Sequence, residues 1–484
     1  MFSLCRKDDP RGGLSTGGEA GLGFHPVQVQ ARTLRLSWFG PFSRFPPGGS
    51  VHFPKALSSL FVTAFVFAIA PHAAVTAQGH TAVLKVPGDY PTISAAIAAA
   101  SPGDTVRVAG GTYREQVVID KAIKLHGAGR ENTIIDGENR TDLTSLGQVR
   151  VIAAGDVEVS GFTITRAGRH GAASPGPAGY YVAIYTESSV AGVTFDIHHN
   201  RVIEVGEPGN PASEFWGLGF LAGPGLQDLD FHHNDISRTT YVGFWCQGHV
   251  GPQTIRDNVL RGAIVGGSDG LYVVMGTGSG PLRILRNSID MGAPQINPGF
   301  ITGISVFGNG ADNVEIVGNT IYDIIENRRG INLIGGESAI RGAVIANNRI
   351  LGAGGYTGIT VWGGCEDTAV ENNLITGITG LAVNTPGTNG GIRLRAYAGI
   401  AATPVRTWIM GNTIEALRGI TVEATSSSNQ IYGNRIRALD FPAVQLGAAT
   451  TLNLVGNNVL RTPAQRGNAA VLDQGTSNTV VLNH

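Results

Sequence analysis

From residue 200 to its end, the chain repeats one phrase of apolar and polar positions: apolar, any, any, Asn, any, apolar. Its anchors are Asn200, Asn234, Asn258, Asn287, Asn319, Asn348, Asn373, Asn412, Asn434, Asn457 and Asn483, between 22 and 39 residues apart. Self-similarity at such a period marks a stacked-repeat architecture. Upstream of the anchors lies a second phrase, Gly-apolar-any-apolar, as in Gly270–Val273, Gly303–Val306, Gly330–Leu333, Gly358–Val361, Gly391–Leu394 and Gly419–Val422. Alternation of period two, with largely β-branched residues, predicts a short strand with one buried face. A third short strand follows each Asn, as in Thr320–Tyr322 or Arg349–Leu351. A turn of three strands cannot bury its own apolar face, and stacked turns close a continuous core. The prediction is an all-β, parallel β-helix of about 12 coils over residues 105–484. The 70 glycines suit its tight corners, where positive φ is cheap without a Cβ. The anchor Asn suits a left-handed bend and a ladder to the next coil, which is a structural role.

Pro91–Ala100 has the one amphipathic helical pattern, just ahead of a first strand at Thr105–Val108. Within residues 78–104 it would cap the open core, as terminal repeats require. No cap is visible at the other end, where the chain stops on an anchor at Asn483-His484. Pairing with another chain, as in a homo-oligomer, or truncation of the sequence would account for that.

Val86-Pro-Gly-Asp-Tyr-Pro-Thr-Ile-Ser-Ala-Ala-Ile97, Pro102–Val108, Gly111-Thr-Tyr-Arg-Glu115 and Ile123–Gly129 resemble the opening of right-handed parallel β-helix proteins of the pectin-lyase-like superfamily. The stretch is similar to their carbohydrate-binding/sugar-hydrolase module and to the copper-site maturation protein NosD. The resemblance covers residues 83–483 and implies the right-handed fold. It leaves the chemistry open, since many activities share this scaffold.

Lys55, the apolar run Ala56–Ala70 and the small residues ending at Ala77 read as a secretory signal over residues 51–77. The run is short for a membrane span. Residues 1–50 are Pro/Gly-rich and unpatterned, so translation from Val51 is the simpler reading. A mature chain from about Gln78 would be periplasmic or secreted, with no membrane segment after signal removal. It would hold 28 basic against 33 acidic residues, a net −5, which argues against a nucleic-acid partner. Cys246 and Cys365, four coils or roughly 19 Å apart at the strand spacing, are too distant for a disulfide. Two free thiols are expected, with Cys246 in the core.

In a solenoid, outward side chains of equivalent strands form rows. On the Gly-apolar-any-apolar strand the first outward row reads Gly219, Trp245, Tyr272, Ser305, Asn332, Thr360, Arg393, Thr421. The next reads Leu221, Gln247, Val274, Phe307, Ile334, Trp362, Arg395, Glu423. Val274, Phe307, Ile334 and Trp362 make an exposed apolar stripe about 15 Å long, ending at Arg393, Arg395 and Glu423. Flat aromatics beside arginine suit an acidic polysaccharide: rings stack on Trp, and guanidinium pairs carboxylates bidentately. In pectin-lyase-like proteins this strand usually floors the substrate groove, so the resemblance implies the same here. Insertions at 166–180, 206–216 and 291–301 would wall it with Arg169, His170, Tyr180, Glu214, Phe215 and Trp216. Coverage of the stripe by a loop or a partner chain is the plainer alternative.

On the strand before each Asn, Asp196/His198 and Asp230/His232 stack in successive coils, followed by Thr254/Arg256. The two Asp-x-His pairs could take a divalent metal such as Zn²⁺ or Cu²⁺, or present His as a general base. A solvated row left by duplication of one coil is the alternative.

Lysine occurs only at positions 7, 55, 85, 121 and 124, so no lysine base can come from the later coils. The catalytic motifs of polygalacturonases, mannuronan epimerases and pectate lyases are absent, and Gly111–Glu115 echoes only the first pectin methylesterase motif. No paired carboxylates occupy neighbouring groove positions, which disfavours a hydrolase. The reading is an exported protein that binds, and as an enzyme would process by elimination or epimerisation, an acidic polysaccharide. Arg393 and Arg395 would hold the carboxylate, Tyr272 or a loop His would move the proton, and Trp245, Phe307, Asn332, Trp362 and Glu423 would line the groove. The rivals are a non-catalytic NosD-like metal-handling factor using Asp196, His198, Asp230 and His232, and a structural cell-surface solenoid.

Overall fold

The computed structural model describes residues 81–170, 179–206, 216–262, 269–292, 302–308, 310–325, 328–380, 390–397, 400, 402–423, 425–440 and 442–484. The expected leader, the start at Val51 and the groove residues Glu214 and Phe215 lie outside them. Short strands alternate among three sheets, sheet A with 15 strands, sheet B with 13 and sheet C with 14, all parallel but for Arg169–His170 at the side of sheet C. Each chain turn visits A, B and C once, as in Thr194–His198, Arg201–Val205 and Trp216–Ala222, then returns to A at Asp228–His232. This is the right-handed parallel β-helix, with more coils than the Asn repeat counts. The early coils lack the anchor, and a strand at Val83–Val86, ahead of the cap, already pairs with Thr105–Val108.

Helix α1, Ile93–Ala99, is held at its start by the Thr92 hydroxyl, which accepts from the Ala95 N–H. It turns Ile93, Ala96 and Ile97 onto the end of the core. That core is one continuous column of Ile, Val, Leu and Phe from Leu84 to Ala470. Every sheet contributes alternate residues to it, so its stability comes from stacking. Cys246 and Cys365 are both free and fully buried within it, and burial pushes each thiol up to about 12.

The anchor asparagines sit at the corner between sheets A and B, and those from Asn200 to Asn434 are buried. From Asn234 on, each Oδ1 accepts from the main-chain N–H and the Nδ2 of the preceding anchor, while Nδ2 donates to a sheet A carbonyl. Two sequence expectations need correcting here. The rung in the penultimate coil is Asn458, which receives Asn434 and donates to Asn483; Asn457 is exposed. The left-handed residue is not the anchor but its predecessor, as at His199 (φ 53°), His233 (55°), Asn347 (56°) and Asn372 (54°). The corner must turn one residue early so that the Asn side chain points inward to the ladder. A second ladder, Asn429–Asn453–Asn478, runs through the last coils. At the end Asn468, from the turn Gly467–Ala470, closes the last rung on Asn483.

The glycines that open the sheet C strands also serve a different purpose from the one expected. Gly270, Gly303, Gly330, Gly358, Gly391 and Gly419 do not have positive φ. They stand where the chain passes closest to sheet B: a Cβ at Gly358 would lie 2.5 Å from the Gly391 carbonyl oxygen and 2.6 Å from Ile375 Cγ2. Among the described residues no helix is long and apolar enough to cross a membrane.

Candidate functional site

The outer face of sheet C is built from two rows whose register differs from the expected one at its beginning. Leu221, not Gly219, lies beside Trp245, because Phe220 aligns with Phe244 in the core. From there the row continues as expected through Tyr272, Ser305, Asn332, Thr360, Arg393 and Thr421. The neighbouring row runs Gln247, Val274, Phe307, Ile334, Trp362, Arg395. Its expected exposure is not found: Val274, Phe307 and Ile334 are half-buried and Trp362 is only 8% exposed.

Part of the cover comes from side chains that the strand pattern does not reveal. Tyr397 packs edge-on against Trp362 and Phe307, at 5.6 and 6.1 Å between centroids. Arg329 and Arg395 lie 5.3 and 4.8 Å from the centre of the Trp362 ring. Beneath this layer Asn332 is buried and accepts the Trp362 indole N–H at 3.4 Å. Arg393 is buried as well: it donates from Nε to Glu423 at 2.9 Å and from Nη1 to the Tyr356 hydroxyl at 3.2 Å. It therefore supports the surface from below. Arg395 and Glu423, one-quarter exposed and 3.8 Å apart, form the accessible end.

Toward the first coils the face becomes aromatic. Trp216 stacks on Tyr241 with centroids 4.2 Å apart, and Tyr180, Trp245 and Tyr272 join them at 5.7 to 6.3 Å. Tyr180, Tyr241, Trp245 and Tyr272 pack on a small outer cluster that includes Val182, Leu218, Leu221 and Val242, separate from the main core. Arg169 and His170 form a short antiparallel strand against Tyr180–Tyr181 beside it. The Trp245 indole N–H is buried without a hydrogen-bond partner, a state that costs about 1–3 kcal/mol unless a ligand supplies an acceptor.

Two charged residues between these halves went unnoticed in the sequence. Asp269 and Arg329 belong to one row, Asp269–Thr302–Arg329–Thr357, each immediately before the glycine that opens its strand. The Thr302 N–H donates to Asp269 Oδ1 at 3.0 Å. Burial outweighs this bond and the attraction of Arg329, so the Asp269 carboxyl is pushed up to about 7. Burial and then repulsion from Arg393 and Arg395 pull Arg329 down to about 10, against attraction by Tyr356 and Asp269. Burial, then Asp269, pushes the Tyr272 hydroxyl far up, so it stays protonated near neutral pH.

A second cluster lies on sheet A. His198 and His232 stack with centroids 4.8 Å apart, and the exposed His199 and His233 stack beside them at 4.9 Å. Asp196, Asp230 and His232 place ligand atoms within 4.8 Å of one another. Both carboxylates are engaged, however. Asp230 accepts from Arg256 Nε and Nη2 at 3.2 and 2.8 Å, and Asp196 meets His232 Nε2 at 2.9 Å. In the preceding coil Glu158 has the equivalent role, 3.2 Å from His198 Nε2 and 2.8 Å from His126 Nε2. Burial alone would raise its carboxyl, yet Lys124, His126 and His198 hold it at about 2.

Residues 302–484 match the sequence family described as a right handed beta helix region. No curated protein matches the chain. Among solved structures it is similar to a PL6 alginate lyase complex with trisaccharide, at 14% identity and TM-score 0.46, over 83% of this chain and 88% of that one. It is similar to a mannuronan C-5 epimerase A-module from Azotobacter vinelandii, at 14% identity and TM-score 0.36, over 80% and 93%. A thermostable GH87 α-1,3-glucanase catalytic unit from Streptomyces thermodiastaticus gives 16% identity and TM-score 0.44, over 80% and 66%.

Proposed function

We propose that the protein is an exported binder of acidic polysaccharide and that the outer face of sheet C is its platform. The observation that carries this reading is the convergence of Arg329, Arg393 and Arg395 beside Trp362 and the aromatic run ending at Tyr272. Burial lowers Arg329 most, Arg393 and Arg395 add to it, and the three guanidinium groups outnumber Glu423 and Asp269 beside them, which leaves surplus positive charge. An anionic ligand relieves that repulsion, and the half-exposed rings of Tyr397, Trp216 and Tyr241 supply stacking surface for sugars. Arg395 and Arg329 meet the ligand's carboxylates, and Arg393 holds the floor through Glu423 and Tyr356.

The platform also has the groups for proton transfer next to a uronate carboxylate. Asp269 titrates near neutrality and serves as the base, and the protonated Tyr272 serves as the acid. Arg329, on the same face, offsets charge that develops on the carboxylate. Relative to the expected roles, Tyr272, expected only to move the proton, gives it, and Arg329 takes the carboxylate-holding role expected of Arg393. The elimination or epimerisation assignment is tested by incubating the full chain with uronate polymers. Unsaturated product or inverted uronate, lost in Asp269→Asn with binding retained, supports it. Binding without either product in the wild type restricts the protein to binding.

A further inference from the structure

We propose that the corner between sheets A and B in the last coils is a docking surface for an anionic lipid bilayer. Of the eight large hydrophobic side chains exposed among the described residues, five lie between Tyr432 and Leu482. Three of these form one surface at that corner. Tyr432 and Val481 are the sheet A residues nearest to it, in one row with Gly456 between them. Gly456 leaves room for a side chain there, since its Cβ would lie 3.6 Å from Tyr432 Cδ2 and 3.5 Å from Val481 Cγ2. Leu482 stands on the corner itself, 74% exposed and with φ 51°. Earlier coils put His199, His233, Asp257, Arg286, Asn347 and Asn372 in this left-handed position. A bulky aliphatic residue adopts it only under strain, and Leu482 buries little of itself within its own chain in return.

Across the corner, sheet B is basic. Arg435, Arg437, Arg461 and Arg466 are all exposed, and residues 430–470 hold one acid, Asp440, against these four. Arg437 stands directly opposite Arg461 in the ladder, and Arg461 bridges to Arg466. Like charges so placed are destabilising. Arg437 has Glu415 at 2.9 Å, whereas no ion pair holds Arg435, Arg461 or Arg466 among the described residues. Arginines of earlier coils do meet an acid one coil away, as Arg261 with Asp235 at 2.6 Å and Arg286 with Asp257 at 2.8 Å. The turn that follows Arg466 closes on Asn483 through Asn468, so the arginines and Leu482 share one surface. Guanidinium forks pair phosphate bidentately, while aliphatic side chains beside them enter the boundary between head groups and acyl chains. Exposed Leu and Val favour lipid over sugars, which stack on flat rings. The sheet C platform lies on another face, so both surfaces can be occupied together.

The full chain is mixed with vesicles of phosphatidylcholine, alone or in equal parts with phosphatidylglycerol, and bound protein is measured by flotation. Tighter binding to the anionic vesicles, weakened by salt, is expected. Arg435→Gln/Arg461→Gln/Arg466→Gln should weaken it on the order of 100-fold. Leu482→Asn, chosen because Asn tolerates left-handed φ, should weaken it about 10-fold. All four side chains are exposed, and circular dichroism confirms that the variants fold. The apolar run at 56–70 is common to every variant, so it cannot produce these differences. Equal binding to both vesicle types, or equal binding of wild type and triple variant to the anionic ones, would overturn the proposal. Loss of retardation by a uronate polymer in the triple variant, with vesicle binding unchanged, would also overturn it and assign the arginines to the polymer. Failure at vesicles leaves the sheet C reading untouched, because that reading is tested through Arg395.

Discussion

Adjacent asparagines at 347 and 348 separate the ladder from the corner in one comparison. Asn348 is buried, and its side chain makes four hydrogen bonds. Oδ1 accepts from Asn319 N–H at 2.9 Å and Nδ2 at 3.0 Å, while Nδ2 donates to Ile316 O at 2.8 Å and Asn373 Oδ1 at 3.0 Å. Asn348→Ala deletes all four and strands the Asn319 N–H in the core. At roughly 1 kcal/mol net per bond the loss is about 4 kcal/mol. Asn347 is exposed with φ 56°, a conformation glycine adopts without strain. Asn347→Gly therefore shifts stability by no more than about 0.5 kcal/mol. Urea unfolding followed by circular dichroism measures both, with a common slope confirming that midpoints are comparable. A loss below about 1 kcal/mol for Asn348→Ala would show that the ladder does not hold the coils together, and the stacking account would need another source.

Gly358→Ala should destabilise by about 1–3 kcal/mol through overpacking, since both the Gly391 carbonyl and Ile375 are in the way; a neutral midpoint would mean that sheets B and C separate easily. For Asp269, the folded pKa of about 7 lies above the ordinary carboxylate value of 3.8. The folded state thus holds the extra proton between those values, and stability falls as pH rises through that window. Asp269→Asn should flatten this fall, giving a variant more stable than wild type at pH above 7 relative to their difference at acidic pH; parallel melting profiles would refute the shift. Trp362→Ala should weaken polymer binding more than Val274→Ala, as read by affinity electrophoresis, because the buried Trp362 ring is the surface on which Arg329 and Arg395 rest.

The strands and core were legible because period-two alternation reports directly on a buried face, and the Asn repeat located the corner between sheets A and B. Two kinds of information were not. Pairing of Leu221 with Trp245 depends on core alignment of Phe220 with Phe244, which a Gly-based motif misplaces by two residues. Coverage of Trp362 by Tyr397, and of Arg393 by Tyr356, comes from residues flanking the strands, so no periodicity announces it. Asp269 and Arg329 did leave a signal: both occupy the position before the strand-opening glycine, alternating with Thr302 and Thr357. Reading that position as a third row would have found them. The histidine pairs were visible as Asp-x-His-His-Asn, but the sequence could not show that carboxylates meet the Nε2 atoms of His198 and His232 while Nδ1 atoms face each other.

The platform is tested most directly by affinity electrophoresis of the full chain in gels containing a uronate polymer or a neutral glucan, with wild type beside Arg395→Ala. Retardation by the uronate polymer alone, diminished by salt and by loss of Arg395, is the predicted result. Equal migration in both gels, or retardation that ignores Arg395, would contradict the assignment of sheet C as an acidic-polysaccharide platform.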